Sequence, residues 1–273
     1  MHRRIRLQAA LLPLAVALVS TTATAELNLW ISYHFQGMKN YRTGDYQDSE
    51  KLLVAALDET SAKFRRGDTL DALGQVYTAL GVFEKAEQYY QDALNTKQKA
   101  LGGRHRDVPI TLNNLADLHY IQGKTEDVES LYRRALDINE RDQLNLEVCR
   151  SLNGLALLQN DAGEYVKAEE HLKRAIEIHE KAQRRDHPYM ATVLVNLGIL
   201  YTNLGRYEEA QPLFERAQYI QNVALRPDHP DVAVRLHAMA ALYQATGRTE
   251  LANDLARRAE EIRQKQAAKG DLY

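Results

Sequence analysis

The side chains with most chemistry to offer are a set of histidines, one thiol and a series of asparagines, and their spacing limits what each can do. His105, His187 and His229 stand in the segments Gly103-Arg104-His105-Arg106-Asp107, Asp186-His187-Pro188-Tyr189 and Asp228-His229-Pro230-Asp231. They recur a full repeat apart, so they are expected on successive rungs, shaping turns and capping helices, and not around one metal ion. His171 and His179 are eight residues apart, about 12 Å along one helix, too far to share a metal. The chain has no glycine-rich phosphate loop, no Gly-x-Ser-x-Gly elbow and no His-Glu-x-x-His pair. With no nucleophile, base and orienting group to place together, it reads as a non-enzyme needing neither metal nor cofactor. Cys149 is the single cysteine, which excludes an internal disulfide and a cysteine-based zinc cluster. Its thiol is either buried and inert, or exposed and able to pair with another chain.

Of 273 residues, 45% are hydrophobic and 26% charged, an ordinary globular composition. Residues 1–25 differ: Arg3, Arg4 and Arg6 precede an apolar run from Ala9 to Val19, and small residues follow, ending in Ala23-Thr24-Ala25. That order describes a secretory signal peptide cleaved between Ala25 and Glu26. The apolar run, broken by Pro13, falls short of the ~20 residues needed to span a bilayer, so no stable membrane insertion is expected after cleavage. The mature protein is then exported, to the periplasm or the exterior. Losing three arginines takes the formal charge from −2 to −5, which leaves no basic surplus for nucleic acid.

The elements that position these residues are repeats. Six glycines mark them: Gly44, Gly81, Gly123, Gly163, Gly205 and Gly247, spaced by 37, 42, 40, 42 and 42 residues. Eleven residues before the last five stand Leu70, Leu112, Leu152, Leu194 and Leu236, and seven before all six a glycine or alanine. Twelve after each comes an alanine: Ala56, Ala93, Ala135, Ala175, Ala217 and Ala259. The leucine and the small residue share one face of a first helix, which the glycine ends in the left-handed conformation it adopts cheaply. A second helix follows, with Ala86, Tyr90 and Ala93, or Ala210, Phe214 and Ala217, on its buried face. One such hairpin cannot cover its own apolar side, so neighbours must stack. Pro188 and Pro230 suit the first turn of the next helix. The first unit departs most, with Gln36 and Asn40 where apolar residues are expected. In the last helix Ala252, Leu255, Ala256, Ala259 and Ile262 point inward, and Trp30 covers the exposed start of the stack or anchors a partner.

These columns resemble the tetratricopeptide repeat over residues 30–262. The long period, the Asp-His-Pro linkers and Leu112-Asn113-Asn114-Leu115-Ala116 look like the kinesin-light-chain type. The expected fold is all-α: an α-solenoid of about six helix-turn-helix repeats forming a superhelix. Its domain spans residues 26–265, with repeats near 30–60, 67–100, 109–140, 149–181, 191–223 and 233–264, and residues 266–273 form a frayed tail.

In the family it resembles, the first helices of the repeats line a concave groove that holds a peptide. The resemblance puts Asn113, Asn114, Asp117, Asn153, Asn160, Val195, Asn196, Ile199 and His237 on or near that groove. Amides both donate and accept, so such a ladder either satisfies the main chain of an extended peptide or bridges neighbouring helices. Asp68, Asp71, Asp117 and Asp161 on the same surfaces, with only Arg150 basic, argue against a clamp for a partner's C-terminal carboxylate. The leading reading is an exported scaffold that captures a peptide or loop of a protein partner. The alternatives are a structural or oligomerising solenoid that buries an apolar end such as Trp30, and a regulatory subunit of an envelope enzyme.

Overall fold

The computed structural model describes residues 5–139, 146–182 and 187–270. Among the described residues there are twelve α-helices and no strand: α1 (Ile5–Thr43), α2 (Tyr46–Asp58), α3 (Lys63–Ala79), α4 (Phe83–Leu101), α5 (Val108–Ile121), α6 (Val128–Asn139), α7 (Leu146–Asp161), α8 (Tyr165–Lys181), α9 (Pro188–Asn203), α10 (Tyr207–Ala224), α11 (Pro230–Ala245) and α12 (Thr249–Gly270). They form six hairpins, α1/α2 through α11/α12. The chain divides into two compact units, Met1–Asn114 and Leu115–Tyr273.

Every hairpin turns at a marker glycine, with φ between 71° and 84°, a region that a Cβ disfavours. At the fifth, Gly205 N–H bonds to the Thr202 carbonyl at 3.1 Å and Arg206 N–H to the Tyr201 carbonyl at 2.8 Å. This pair of bonds uses up two orphan carbonyls of α9, and the same pair closes α11 at Gly247 and Arg248. The usual apolar contact across such a turn is replaced by a guanidinium over a ring: Arg206 lies 3.9 Å from the Tyr201 centroid and Arg248 4.2 Å from that of Tyr243.

Helix starts follow the linker histidines. His187 and His229 accept through Nδ1 from the backbone N–H of Tyr189 and Asp231, each at 3.2 Å, with proline in the first turn. His105 accepts likewise from Asp107 at 3.3 Å. Because the ring nitrogen satisfies an otherwise orphan donor, His229→Ala is expected to cost about 0.5–2 kcal/mol and His229→Asn, a strong cap, much less. Thermal melts of the two variants check this; equal losses would contradict a capping role.

The columns bury as the repeat requires. Leu70, Leu112, Leu152, Leu194 and Leu236 are all in the core, and the six alanines are fully sealed. In the first unit Leu53, Ala72, Leu73 and Val76 pack together, and in the second Leu152, Leu172, Met190, Leu194 and Phe214 belong to one cluster. The first hairpin forms despite its polar positions: Ser49 donates to the Gly37 carbonyl at 2.8 Å, while exposed Gln36 bonds Asn40 at 2.9 Å. Trp30 is engaged within its own unit, donating to Thr69 Oγ1 at 3.0 Å and stacking on His34 at 4.9 Å. Two features differ from the sequence reading. Ala256 is exposed, whereas at the same column Tyr90 and Phe214 reach across their own hairpins to Gly74 and Gly198 and are buried, a span for which a methyl is too short. And α12 runs to Gly270, with Gln266 donating to the Asp228 carbonyl at 2.7 Å.

No helix among the described residues is long and apolar enough to cross a membrane. Ala25 and Glu26 lie within α1, where Glu26 accepts from the Ser61 hydroxyl at 3.1 Å.

Candidate peptide-binding face

Polar groups of neighbouring first helices meet at several places. Asn196 Nδ2 on α9 donates to Asn153 Oδ1 on α7 at 2.7 Å, and Asn114 Nδ2 on α5 approaches Asp71 Oδ1 on α3 at 3.5 Å. Asn113, Asn114 and Asn153 are buried. Asp117 accepts from Arg150 at 2.7 Å and from the Tyr132 hydroxyl at 2.5 Å, so the lone basic residue of the sequence reading is itself neutralised. Asn160 is half-buried, its Nδ2 3.5 Å from Asp161 Oδ1 and its own Oδ1 without a partner among the described residues. Asn153 and Asn196 thus tie α7 to α9, and Asn114 faces Asp71 of α3. Asn153→Ala with Asn196→Ala is expected to lower stability by about 0.5–1.5 kcal/mol, the net value of one hydrogen bond. Denaturant titration checks it, and an unchanged midpoint would mean that the bond holds nothing together.

Open space lies at the other end of the second unit. A cleft of about 190 Å³ runs between α9 and α11, lined among others by Ile199, Asn203, Val234, His237, Ala241 and, from α12, Arg263. A smaller one of about 100 Å³ shares Val234 and takes in Thr192, Val195, Asn196, Gln221 and Asp231. Ile199 and His237 thus come together in one cleft, and Val195 and Asn196 in the next. Asn113, Asn114, Asp117, Asn153 and Asn160 line neither. The walls of the larger cleft are aliphatic, with amide, imidazole and guanidinium groups placed among them, a combination that seats an apolar side chain and orients a peptide main chain.

Three features escaped the sequence reading. The first is a column sixteen residues after each of the last five marker glycines: Lys97, Asn139, His179, Gln221 and Arg263. The first four are buried, while the side chain of Arg263 is 49% exposed. Lys97 Nζ lies 2.6 Å from Asp71 Oδ2 and 2.9 Å from Asp68 Oδ1, and Thr111 donates to Asp71 at 2.7 Å. Desolvation opposes charge on Lys97, but Asp71 and Asp68 outweigh it and hold the ammonium above the usual lysine range. The second is Arg235, buried and hydrogen-bonded to Gln221 at 2.7 Å and Gln218 at 3.3 Å. Burial, with Arg258 adding to it, pushes that guanidinium down to about 10. The third joins adjacent repeats: Glu169 on α8 accepts from Arg206 at 2.7 Å and from Tyr201 at 2.9 Å. The Arg206 bonds hold its carboxyl down to about 2 against a smaller opposing effect of burial. A polar column recurring where the helix pattern demands burial is the signal that would have found the first. Cys149 is buried, its thiol 3.5 Å from the Ala175 carbonyl, and burial pushes it up to about 12, which makes it inert.

The repeat geometry is matched in sequence by a profile of the tetratricopeptide repeat over residues 65–141, 147–217 and 189–265. The chain belongs to the tetratricopeptide-repeat family. No curated protein sequence matches it. Among solved structures it is similar to BtubC (BKLC) from P. vanneervenii, with 22% identity and a TM-score of 0.60 over 84% of this chain and 92% of that one. It is also similar to a putative kinesin light chain of Podosopora anserina with nearly identical TPR-like repeats, at 23% identity and a TM-score of 0.54, covering 76% and 98%. A third is the Rap conjugation gene regulator of the plasmid pLS20 in complex with the Phr* peptide, at 14% identity and a TM-score of 0.67, covering 91% and 77%. At these identities the likeness concerns the fold.

Proposed function

We propose that this tetratricopeptide-repeat protein is an exported, non-enzymatic scaffold that captures a peptide or loop of a partner protein between α9 and α11. The observation that carries the reading is the contrast along the first helices of the repeats. On α5, α7 and α9 Asp117 is bonded to Arg150 and Asn153 to Asn196, whereas the cleft of Ile199, Val234 and His237 stands open. The family supports it, since its repeats serve protein interaction, and so does a fold shared with a regulator solved with a peptide. Export rests on the arginines, the apolar block and the Ala23-Thr24-Ala25 site.

The test is a photo-crosslinking residue introduced at exposed Ala241 beside the cleft and, as a control, at exposed Glu170 on α8. In the native host, irradiation should yield one discrete adduct from position 241 and none from position 170. That adduct should vanish when Ile199→Asp is added. Adducts that ignore Ile199, or that form equally at both positions, would refute the cleft as the site. Native N-terminal sequencing beginning at Glu26 is the matching result for export; an intact leader on a cytosolic product would refute it.

A further inference from the structure

Arg235 is a buried cation that the fold leaves without a counter-charge. Twelve residues before the last five marker glycines stand Thr69, Thr111, Ser151, Val193 and Arg235, all buried. Only the sixth repeat puts a cation in this column of small or aliphatic side chains. Elsewhere buried Lys97 has Asp71 at 2.6 Å and Asp68 at 2.9 Å, and half-buried Arg150 has Asp117 at 2.7 Å. Arg235, 3% exposed, has only neutral partners among the described residues: Nε donates to Gln221 at 2.7 Å, and Nη1 lies 3.3 Å from Gln218 Oε1 and 3.2 Å from Met239 Sδ. Nη2 donates to none of the described residues and is not sealed from solvent. Burying a charge without compensation is costly, and a bound ion is one of the few things that explain it.

A second guanidinium beside it is also left over. Leu236 and Ala259 pack in one cluster, so Arg235 and Arg258, one residue before each, stand at the same level of the α11/α12 hairpin. Arg258 belongs to a column eleven residues after the last four marker glycines, with Arg134, Arg174 and Arg216. One repeat earlier, Arg216 on α10 reaches back to Glu180 on α8 at 2.9 Å. The residue of α10 that corresponds to Glu180, seventeen after its glycine, is Asn222. The acids of α12 itself are taken by other arginines, Asp254 and Glu261 by Arg257 and Glu260 by Arg263. Arg258 is exposed and forms no ion pair among the described residues. Burial, and after it the Arg258 charge, pushes the Arg235 guanidinium down, so the two cations repel across the seam of α10 and α12.

We propose that Arg235 Nη2 and the Arg258 guanidinium form a binding site for a phosphate-type oxyanion on the seam of α10 and α12. Guanidinium edges donate in pairs to such oxygens. A dianion between two of them supplies the charge that Glu180 gives the preceding seam. The site is separate from the α9/α11 cleft, whose lining includes neither arginine.

Isothermal titration calorimetry of inorganic phosphate into the purified chain, in chloride buffer of matched ionic strength, reads the site directly. Saturable binding of one phosphate per chain is expected. Arg258→Gln, at an exposed position, should leave the melting temperature in chloride unchanged and weaken phosphate about tenfold or more, the value of one charged hydrogen bond. Arg235→Met should abolish the binding. Circular dichroism melts confirm that each variant is folded; should Arg235→Met fail to fold, Arg258→Gln decides. Arg257→Gln, whose arginine is already paired, should bind phosphate as the parent does. O-Phosphoserine in place of phosphate separates two sources of the group: equal affinity admits a phosphoryl ester on a larger molecule, and no binding confines the site to the free ion. Absence of saturable phosphate binding overturns the proposal. So does binding that Arg258→Gln leaves undiminished, or that Arg257→Gln weakens as much.

Discussion

Replacing Lys97 with alanine is expected to destabilise the protein by about 3–5 kcal/mol, because it leaves a carboxylate in the core without its counter-ion. Asp71 is buried, and its Oδ2 accepts from Lys97 at 2.6 Å and from Thr111 at 2.7 Å. The site is shaped for the lysine stem: a Cβ on Gly67 would lie 2.6 Å from Lys97 Cγ. Lys97→Met keeps that stem and removes only the charge, so it should retain the packing share and lose the electrostatic one. Adding Asp71→Leu to Lys97→Met should recover part of the loss, since an apolar pair carries no desolvation penalty. Urea titrations of the three proteins test the scheme. A Lys97→Ala loss below about 1 kcal/mol, the range of exposed ion pairs, would show that the buried pair is not what holds α3 against α4.

The second large effect is steric. Gly198→Leu is expected to cost about 1–3 kcal/mol by overpacking, because a Cβ there would sit 2.7 Å from Cε1 and Cζ of Phe214, itself fully buried. The same arrangement recurs in the second hairpin, where a Cβ on Gly74 would collide with the Tyr90 ring. Phe214→Leu should recover part of the stability lost in Gly198→Ala, as the two substitutions exchange volume across one contact. Glu250→Leu on the exposed side of α12 should change stability by no more than about 0.5 kcal/mol. Thermal or denaturant melts decide, and equal losses at positions 198 and 250 would mean that α9 and α10 do not approach where the structure has them.

The hairpins are legible in the sequence because their causes are local. A positive φ at Gly205 and a His229 ring that caps α11 depend on residues within one turn, and sequence carries that information directly. The clefts were half legible. The groove face expected from the sequence includes Ile199 and His237, which share a cleft, but Arg263, which shares it too, lies on the second helix of its hairpin and so outside that face.

Sequence alone determined that this chain is a stack of helix hairpins, since glycine, alanine and leucine columns recur at a near-constant period and each column has one mechanical reading. Only the tertiary structure decided what the polar residues do. Asn153 and Asn196 have two readings of equal merit in the sequence, and the hydrogen bond between α7 and α9 joins them; nothing local marks Lys97 as a buried charge, and its partner Asp71 lies 26 residues away. The physical reason is that a hydrogen-bonding or charged group is defined by its partner. Partners supplied by an adjoining helix lie some 26 to 43 residues off along the chain, beyond the reach of any local pattern.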